Sequence, residues 1–220
     1  MALAHHSPGP GDDPPPLGDA VPLAAPPAAF VLDRDGVLNE LWYEPEFGTV
    51  DSPHTPSQVT LCRGAAQAVR MANEAGVPVH VVSNQPGIAK AKCSPRLLLA
   101  VTRRLVDLLA DEGARLDGIH YCLHHESASM ERLRSDCPNR KPRPGLLERL
   151  CRTERLEPRD CWFVGDTPRD IEAGRAAGLR TAWVGNVRCD VCPTRREARP
   201  DLSATDLTTV ISQLLGSQPS

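Results

Sequence analysis

Aromatic residues make up only 4% of this 220-residue sequence, and it contains no long apolar run. Without about 20 consecutive apolar residues, no segment is long enough to cross a bilayer as a helix. The N-terminus lacks a basic segment followed by an apolar one, so we expect no signal peptide and a cytoplasmic protein. In that compartment the eight cysteines are more typical of thiols or metal ligands than of disulfides.

An excess of charge of one sign is also absent, because the formal net charge is only −3. A nearly balanced charge favours neither nucleic acid nor an acidic membrane surface as a partner. We therefore expect no nucleic-acid or membrane partner; separately, we expect the protein to be a monomer. Residues 1–28 are rich in proline, glycine and alanine and offer little to bury, which predicts a disordered tail. A single domain is expected over residues 29–216.

Short apolar runs alternate with helical patterns from residue 28 onward. Strands are predicted at 28–32, 77–82, 119–122, 161–164 and 181–184. Helices are predicted at 64–75, 94–109, 145–155, 167–177 and 206–215. This alternation predicts an α/β fold, a three-layer doubly wound parallel sheet with helices on both faces. In such folds, binding and catalytic residues follow the carboxyl ends of the strands.

Two carboxylates, Asp33 and Asp35, follow the first predicted strand. Aspartate is common in turns, and a simple turn is one explanation of this motif. The alternative explanation is that the two carboxylates have different catalytic roles. One would bind a hard cation and attack phosphorus, and the second would transfer protons. Asp166 follows a later strand, where it suits a magnesium ligand. Asp170 fits both a capping box with Thr167 and a supporting role at such a site.

Two further polar segments lie at predicted strand and helix ends. Ser83, Asn84 and Gln85 follow the second strand as a polar loop, although a hydroxyl and N–H groups there could also hold phosphate oxygens. Arg140 and Lys141 precede a helix in a basic segment that prolines stiffen. Such a segment is usually solvated, but Lys141 could also neutralise charge on a transferring phosphoryl group.

Together and in this order, these motifs resemble the haloacid-dehalogenase superfamily of phosphatases over residues 29–190. That pattern is DxD after the first strand, Ser or Thr after the second, Lys before a helix and GDxxxD after a later strand. A narrower resemblance is to the D-glycero-D-manno-heptose 1,7-bisphosphate 7-phosphatases and the related histidinol-phosphate phosphatases. It rests on segments 33–39, 83–89, 122–125 and 140–145. The resemblance implies a compact Rossmann-like fold without a large cap domain.

The resemblance also implies a role for each motif residue in Mg²⁺-dependent hydrolysis of a sugar phosphomonoester, through an aspartyl-phosphate. Asp33 is expected to be the nucleophile and a magnesium ligand. Asp35 is expected to transfer protons and to bind the metal through its carbonyl. Asp166 completes the protein ligands, with Asp170 in support. Phosphoryl binding is expected of Ser83 and Lys141, and substrate binding of Asn84, Gln85 and Arg140.

Members of this subfamily often carry zinc on ligands in the pattern Cys-x-His…Cys-x-Cys. Cys122, His124 and Cys137 match that pattern, but the last position is Asn139, whose amide is a poor zinc ligand. Zinc could bind through three residues and a fourth group, bind weakly, or be absent from a loop that folds by packing. The spacing of the other ligands favours zinc.

A shared fold and nucleophile fix the reaction class but not the leaving group, so the substrate is the least determined property. The connection over residues 36–62 is longer than in the heptose enzymes. The resemblance implies that it closes over the substrate, and simple variation of a surface loop is the alternative. Histidinol phosphate is the alternative substrate, and a catalytically inactive binding module is a third possibility. Cys189 and Cys192 are expected to be unrelated thiols, with a metal or redox role as the alternatives.

Overall fold

The computed structural model describes residues 25–44, 46, 48–185 and 199–216. In chain order, the strands of these residues are β1 (Ala29–Leu32), β2 (Trp42–Glu44), β3 (Thr49–Asp51), β4 (Val79–Asn84), β5 (Gly118–Cys122), β6 (Cys161–Gly165), β7 (Arg180–Val184) and β8 (Leu202–Ala204). Six of them form one parallel sheet in the order β5-β4-β1-β6-β7-β8. The predicted parallel sheet is confirmed.

The α-helices of the same residues are α1 (Ala65–Glu74), α2 (Pro95–Asp111), α3 (Gly145–Glu154), α4 (Pro168–Ala176) and α5 (Leu207–Leu215). Local signals explain several of their ends. The Ser94 hydroxyl accepts a hydrogen bond from the Leu97 N–H at 3.2 Å and caps α2. Asp206 accepts from the Thr209 N–H at 2.8 Å and caps α5. Gly76 ends α1 with φ of 72°, a left-handed conformation that glycine adopts without strain.

The sheet separates two hydrophobic cores. Because side chains alternate along a strand, Phe30 and Leu32 of β1 face one core, while Ala29 and Val31 face the other. Helices α1, α2 and α5 cover the first face, and α3 and α4 cover the second. This is the predicted three-layer arrangement, and no large cap domain is inserted within the described ranges.

The path of the chain brings three strand ends together. The chain runs from β1 outward to β4 and β5, and then crosses to β6 on the other side of β1. The carboxyl ends of β1, β4 and β6 therefore adjoin at a topological switch point of the sheet. Asp33, Ser83 and Asp166 lie at these ends.

Three elements differ from what the sequence predicts. The connection over residues 36–62 contains an antiparallel hairpin of β2 and β3, in which Trp42 pairs with Asp51. The edge strand β8 is three residues long, too short to show a period. The prediction that the second strand ends before Ser83 was wrong, because backbone pairing with β5 continues through Ser83 and Asn84 whatever their side chains.

Apart from residues 25–28, the predicted tail over residues 1–28 lies outside the described residues, so the division into a tail and one domain stays a prediction. Cys189 and Cys192 also lie outside them. No helix in the described ranges combines the length and the apolar character needed to cross a membrane.

Candidate active site

The carboxylate of Asp33 is buried at the end of β1, beside a buried lysine. The Arg34 N–H donates to Asp33 Oδ1 at 2.7 Å, and Lys141 Nζ lies 2.9 Å from the same oxygen. Asn84 fixes the backbone of that lysine. Its Nδ2 donates to the Lys141 carbonyl at 3.0 Å, and its Oδ1 accepts from the Lys141 N–H at 3.1 Å. The Asn84 amide thus positions the lysine that pairs with Asp33.

Three carboxylates lie together beside this ammonium group, Asp33 and Asp166 at strand ends and Asp170 in the first turn of α4. Asp33, Asp166 and Asp170 each have an oxygen within 4.8 Å of the others, and Lys141 Nζ lies 2.5 Å from Asp170 Oδ1. Burial raises the pKa of Asp33 to about 6, although Lys141 opposes the shift. Burial, and then the charges of Asp170 and Asp33, raise the pKa of Asp166 to about 8. The excess of negative charge favours a bound cation.

The geometry around Asp166 also fits a small, hard cation. Its Oδ1 is buried and, among the described residues, has no hydrogen-bond partner. Carboxylate oxygens are the ligands that Mg²⁺ prefers. Gly36 leaves the room that this side chain needs, because a Cβ at residue 36 would lie 2.0 Å from Asp166 Oδ2. Gly36 also has φ of 83°, which other residues adopt only with strain.

Asp170 forms the capping box that the sequence predicts, while its support of a metal site stays a prediction. Its Oδ2 accepts from the Thr167 N–H at 3.1 Å and from the Thr167 hydroxyl at 2.5 Å, at the start of α4. Its Oδ1 faces Lys141 Nζ. One carboxylate therefore fixes the start of a helix and orients the lysine of the site.

The carboxylate of Asp35 is surrounded by hydrogen-bond donors. Asn39 Nδ2 donates to Oδ1 at 2.9 Å. Gln85 Nε2 and Ser52 Oγ donate to Oδ2 at 2.6 and 2.9 Å. The guanidinium of Arg34 contacts both oxygens. All of these partners compensate for the loss of water around a buried anion.

No role was predicted for Arg34, Asn39 or Ser52. The first two lie inside the motif at 33–39, so their position could have drawn attention to them but not their contacts. Ser52 reaches Asp35 from 17 residues along the chain, by a path that no local pattern indicates.

The other residues predicted for the site, Ser83, Gln85 and Arg140, lie near the carboxyl ends of β4 and β5. Gln85 Nε2 donates to Ser83 Oγ at 3.1 Å, and both side chains are buried. Arg140 Nη1 donates to the His124 carbonyl at 3.1 Å, so its guanidinium lies against the loop after β5. The substrate contacts expected of Asn84, Gln85 and Arg140 stay predictions.

A second group of possible metal ligands lies on that loop. Cys122, His124 and Cys137 place their sulfur and nitrogen atoms within 4.8 Å of one another. Cys122 Sγ is 4.0 Å from His124 Nδ1. Burial raises the pKa of the Cys122 thiol to about 11. Two sulfurs and an imidazole form a donor set that suits zinc once the thiols lose their protons.

Known proteins share this chain's sequence pattern and fold. A family model of HAD-hydrolase-like proteins matches residues 138–210. A D-glycero-beta-D-manno-heptose-1,7-bisphosphate 7-phosphatase of Rhodopseudomonas palustris is 35% identical over 153 residues, which cover 70% of this chain and 80% of that relative. This chain belongs to the haloacid-dehalogenase superfamily of phosphatases.

Two more members of the superfamily support the assignment. A protein of the same name from Mesorhizobium japonicum is 34% identical over 190 residues, covering 86% of this chain and 83% of the relative. A crystal structure of the D,D-heptose 1,7-bisphosphate phosphatase from B. bronchiseptica, with magnesium and phosphate, has a TM-score of 0.69 and 28% identity. It covers 86% of this chain and 98% of that one. This haloacid-dehalogenase phosphatase is accordingly a phosphoric monoester hydrolase.

Proposed function

We propose that this phosphatase removes the 7-phosphate of D-glycero-D-manno-heptose 1,7-bisphosphate, with Mg²⁺ as its cofactor and Asp33 as its nucleophile. The names of its relatives, and the magnesium and phosphate in one solved neighbour, support the substrate and the metal. The chemistry depends on one observation, the group of three carboxylates within 4.8 Å of one another. A phosphorylated sugar as partner, a monomeric state and a cytoplasmic location complete the proposal.

Electrostatic repulsion is the main obstacle to this reaction, because a phosphomonoester dianion must approach a carboxylate anion. Two unit charges 4 Å apart interact by about 4 kcal/mol at an effective dielectric constant of about 20. Lys141, at 2.9 Å from Asp33, offsets part of this energy. Mg²⁺ held by Asp33, Asp166 and the carbonyl of Asp35 would supply the remaining positive charge at the phosphoryl oxygens.

The reaction divides into two steps at the same phosphorus atom. Asp33 attacks phosphorus while the bond to the sugar oxygen breaks, and Asp35 gives that oxygen a proton. Water then attacks the phosphorus of the aspartyl-phosphate and gives a proton back to Asp35, which releases phosphate and restores Asp33. Ser83 Oγ accepts from Gln85, so its own hydrogen is free to donate to a phosphoryl oxygen in both steps.

The connection over residues 36–62 is proposed to cover the bound substrate. Ser52 of this connection donates to Asp35 Oδ2 at 2.9 Å, so the segment after β3 already lies over the proton-transferring carboxylate. Arg140 is proposed to recognise the substrate from its place beside the loop after β5.

A substrate panel assayed with Mg²⁺ tests this function. The panel contains D-glycero-D-manno-heptose 1,7-bisphosphate, histidinol phosphate, other sugar phosphates and para-nitrophenyl phosphate. The heptose bisphosphate is expected to have the highest kcat/KM, and a chelator is expected to abolish all release of phosphate. Much faster turnover of histidinol phosphate would replace the substrate assignment, and a protein inactive on the whole panel would be a binding module.

We also propose that Cys122, His124 and Cys137 hold a structural zinc ion, with Asn139 or water as the fourth ligand. Bound zinc would tie the end of β5 to the segment before α3. Because Arg140 bonds to the His124 carbonyl, an ordered loop would also position that guanidinium. Elemental analysis is expected to find about one zinc per chain. A protein purified without zinc, and unable to take it up, would contradict the proposal.

A further inference from the structure

Arg34, between the two motif aspartates, is a fully buried charge whose side chain is 0% exposed. A guanidinium is costly to bury unless its charge and its N–H groups find partners. The face of Tyr121 lies 5.6 Å from Arg34 Cζ and supplies one favourable contact. The principal partner is the carboxylate of Asp35. A residue buried at this cost, next to a reacting carboxylate, is a candidate for a part in the reaction.

The two oxygens of Asp35 are held differently. Arg34 Nε and Nη2 donate to Oδ1 at 3.0 and 2.8 Å, and Asn39 Nδ2 donates to the same atom at 2.9 Å. Three N–H groups therefore saturate Oδ1. A fork of two donors also fixes the plane of the carboxylate, which a single donor does not do.

The partners of Oδ2 are neutral, apart from one longer contact to Arg34 Nη2 at 3.1 Å. Ser52 comes from the segment over the site, and Gln85 from the end of β4. A hydroxyl such as that of Ser52 can accept as well as donate, so it tolerates a proton on Oδ2. Oδ2 also accepts from an N–H group, that of Gln85 at 2.6 Å, so each oxygen has three donors around it. The difference is that all three partners of Oδ1 are N–H groups, which can only donate, whereas the Ser52 hydroxyl at Oδ2 can turn and accept. Oδ2 is therefore the oxygen that can hold a proton.

We propose that Arg34 is a positioning residue for proton transfer, which anchors Oδ1 of Asp35 so that Oδ2 carries the proton to the leaving oxygen. This role for Arg34 rests on the proposed function, in which Asp35 is the acid. As the bond from phosphorus to the leaving oxygen breaks, the proton moves from Oδ2 to that oxygen, and Asp35 becomes a carboxylate. Arg34 itself neither gains nor loses a proton.

The dependence of the rate on the leaving group tests this role. A sugar oxygen needs a proton to leave, whereas para-nitrophenolate leaves well without one. The parameter to compare is kcat/KM, because it includes only the steps up to the formation of the aspartyl-phosphate. Misplacing a catalytic group by about 1 Å can cost on the order of 100-fold. Arg34→Met is expected to lower kcat/KM for the best sugar phosphate of the panel by about 100-fold, but for para-nitrophenyl phosphate by less than about fivefold.

Matched variants separate positioning from a general structural effect. Arg34→Lys keeps one charged donor and is expected to recover part of the loss on the sugar phosphate. Arg70→Met, at an exposed arginine that pairs with Glu74 on α1, is expected to leave both substrates unaffected. Partial misfolding of a variant lowers the active fraction for both substrates equally, so the ratio of the two values remains informative.

Asp35→Asn, assayed in the same way, separates failure of this role from failure of the proposed function. A selective loss on the sugar phosphate in Asp35→Asn, without one in Arg34→Met, would overturn the role of Arg34 and leave Asp35 as the acid. An unchanged ratio in Asp35→Asn, or a wild-type protein inactive on both substrates, would overturn both. A selective loss in both variants, with partial recovery in Arg34→Lys, supports the proposal.

Discussion

Two groups of possible metal ligands lie near the same edge of the sheet and have opposite chemistry. The carboxylate cluster consists of Asp33, Asp166 and Asp170, and the cysteine cluster consists of Cys122, His124 and Cys137. The first offers hard oxygen ligands beside its own lysine, and the second offers sulfur and nitrogen. A cation in the carboxylate cluster would face the reacting phosphate, whereas one in the cysteine cluster would crosslink a loop. Losing the first should stop the chemistry, and losing the second should loosen the structure.

The largest expected effect is that of Asp33→Asn in the carboxylate cluster. An amide cannot attack phosphorus, so phosphate release is expected to fall below about 0.1% of the wild-type rate. Zinc content is expected to stay unchanged, because the cysteine cluster is built from other segments. Release of phosphate is measured with Mg²⁺, and zinc by elemental analysis. Asp136→Asn, at an exposed carboxylate that pairs with Arg143, serves as the control.

The activity that remains in Asp33→Asn tests whether Asp33 is the nucleophile. If Asp33→Asn released phosphate at a tenth of the wild-type rate or more, Asp33 would not be the nucleophile. Trapping the phosphorylated protein and locating phosphorus on residue 33 of the wild type provides the direct check.

Cys137→Ser makes the reciprocal change in the cysteine cluster. Loss of a thiolate ligand is expected to weaken zinc binding by more than about 100-fold, since even loss of a supporting group costs about 10- to 100-fold. Hydrolysis of para-nitrophenyl phosphate is expected to persist, because the carboxylate cluster keeps its residues. Cys151→Ser is the control, because it replaces a buried thiol of α3 that lies outside the cysteine cluster. This variant is expected to bind zinc as tightly as the wild type.

Asn139 supplies the opposite test at the same cluster. Asn139→Cys restores the ligand pattern of the subfamily and is expected to bind zinc more tightly than the wild type. Equal zinc affinity in the wild type, Cys137→Ser and Asn139→Cys would show that the cysteine cluster does not hold zinc.

The parts of the site that could be predicted are those at strand ends. Asp33 and Asp166 follow buried apolar runs, and parallel strands place such residues at one edge whatever the intervening loops do. The contact of Ser52 with Asp35 could not be predicted, because it depends on the path of a connection that contains an unforeseen hairpin. Arg34 was visible in its motif, but the partner of its guanidinium is set by tertiary packing.

The strands and helices were also predictable only where the sequence carries a pattern. The buried strands and amphipathic helices were predictable because they carry a period or an apolar run. The three residues of β8 carry neither, and β4 continues through polar Ser83 and Asn84 because its backbone bonds do not depend on side chains. Gly36 is evident from the sequence as a turn residue. Its closeness to Asp166 comes only from the packing of β6 beside β1.

Gly36→Ala is expected to act on the carboxylate cluster alone. The new Cβ would lie 2.0 Å from Asp166 Oδ2, so the carboxylate must move. We expect Mg²⁺ affinity to fall by about 10- to 100-fold, the range for displaced support of a metal ligand. Calorimetric titration with Mg²⁺ measures the effect, and zinc content should not change.

Gly76→Ala is the matched control for this substitution. Gly76 has φ of 72° against 83° for Gly36, so both variants carry similar backbone strain, about 1 to 2 kcal/mol. Apart from Gly76 and its two chain neighbours, no described residue has an atom within 4 Å of a Cβ at residue 76. Both variants should therefore lose thermal stability, and only Gly36→Ala should lose Mg²⁺ affinity. An equal loss of affinity in both would assign the effect to strain.

The smallest expected effect is a difference in how the two clusters respond to pH. Protons compete with a cation for each ligand, so affinity rises with pH until the ligands are deprotonated. The raised pKa values are about 6 for Asp33 and about 8 for Asp166, so Mg²⁺ affinity should rise between these values and level off above them. The pKa of Cys122 is raised to about 11, so zinc affinity should continue to rise where Mg²⁺ affinity has levelled off.

Metal affinity can change by at most about tenfold per pH unit for each proton released, so the pH dependence is the most demanding of these measurements. Mg²⁺ titrations from about pH 6 to 9, and zinc titrations against a competing chelator over the same range, give the two profiles. Asp166→Asn removes the group with the higher pKa in the carboxylate cluster and should flatten the Mg²⁺ profile above about pH 7. If Mg²⁺ affinity rose in parallel with zinc affinity up to the highest pH, the pKa of Asp166 would not have the value of about 8 that burial gives it. The two clusters would then differ in ligand type alone.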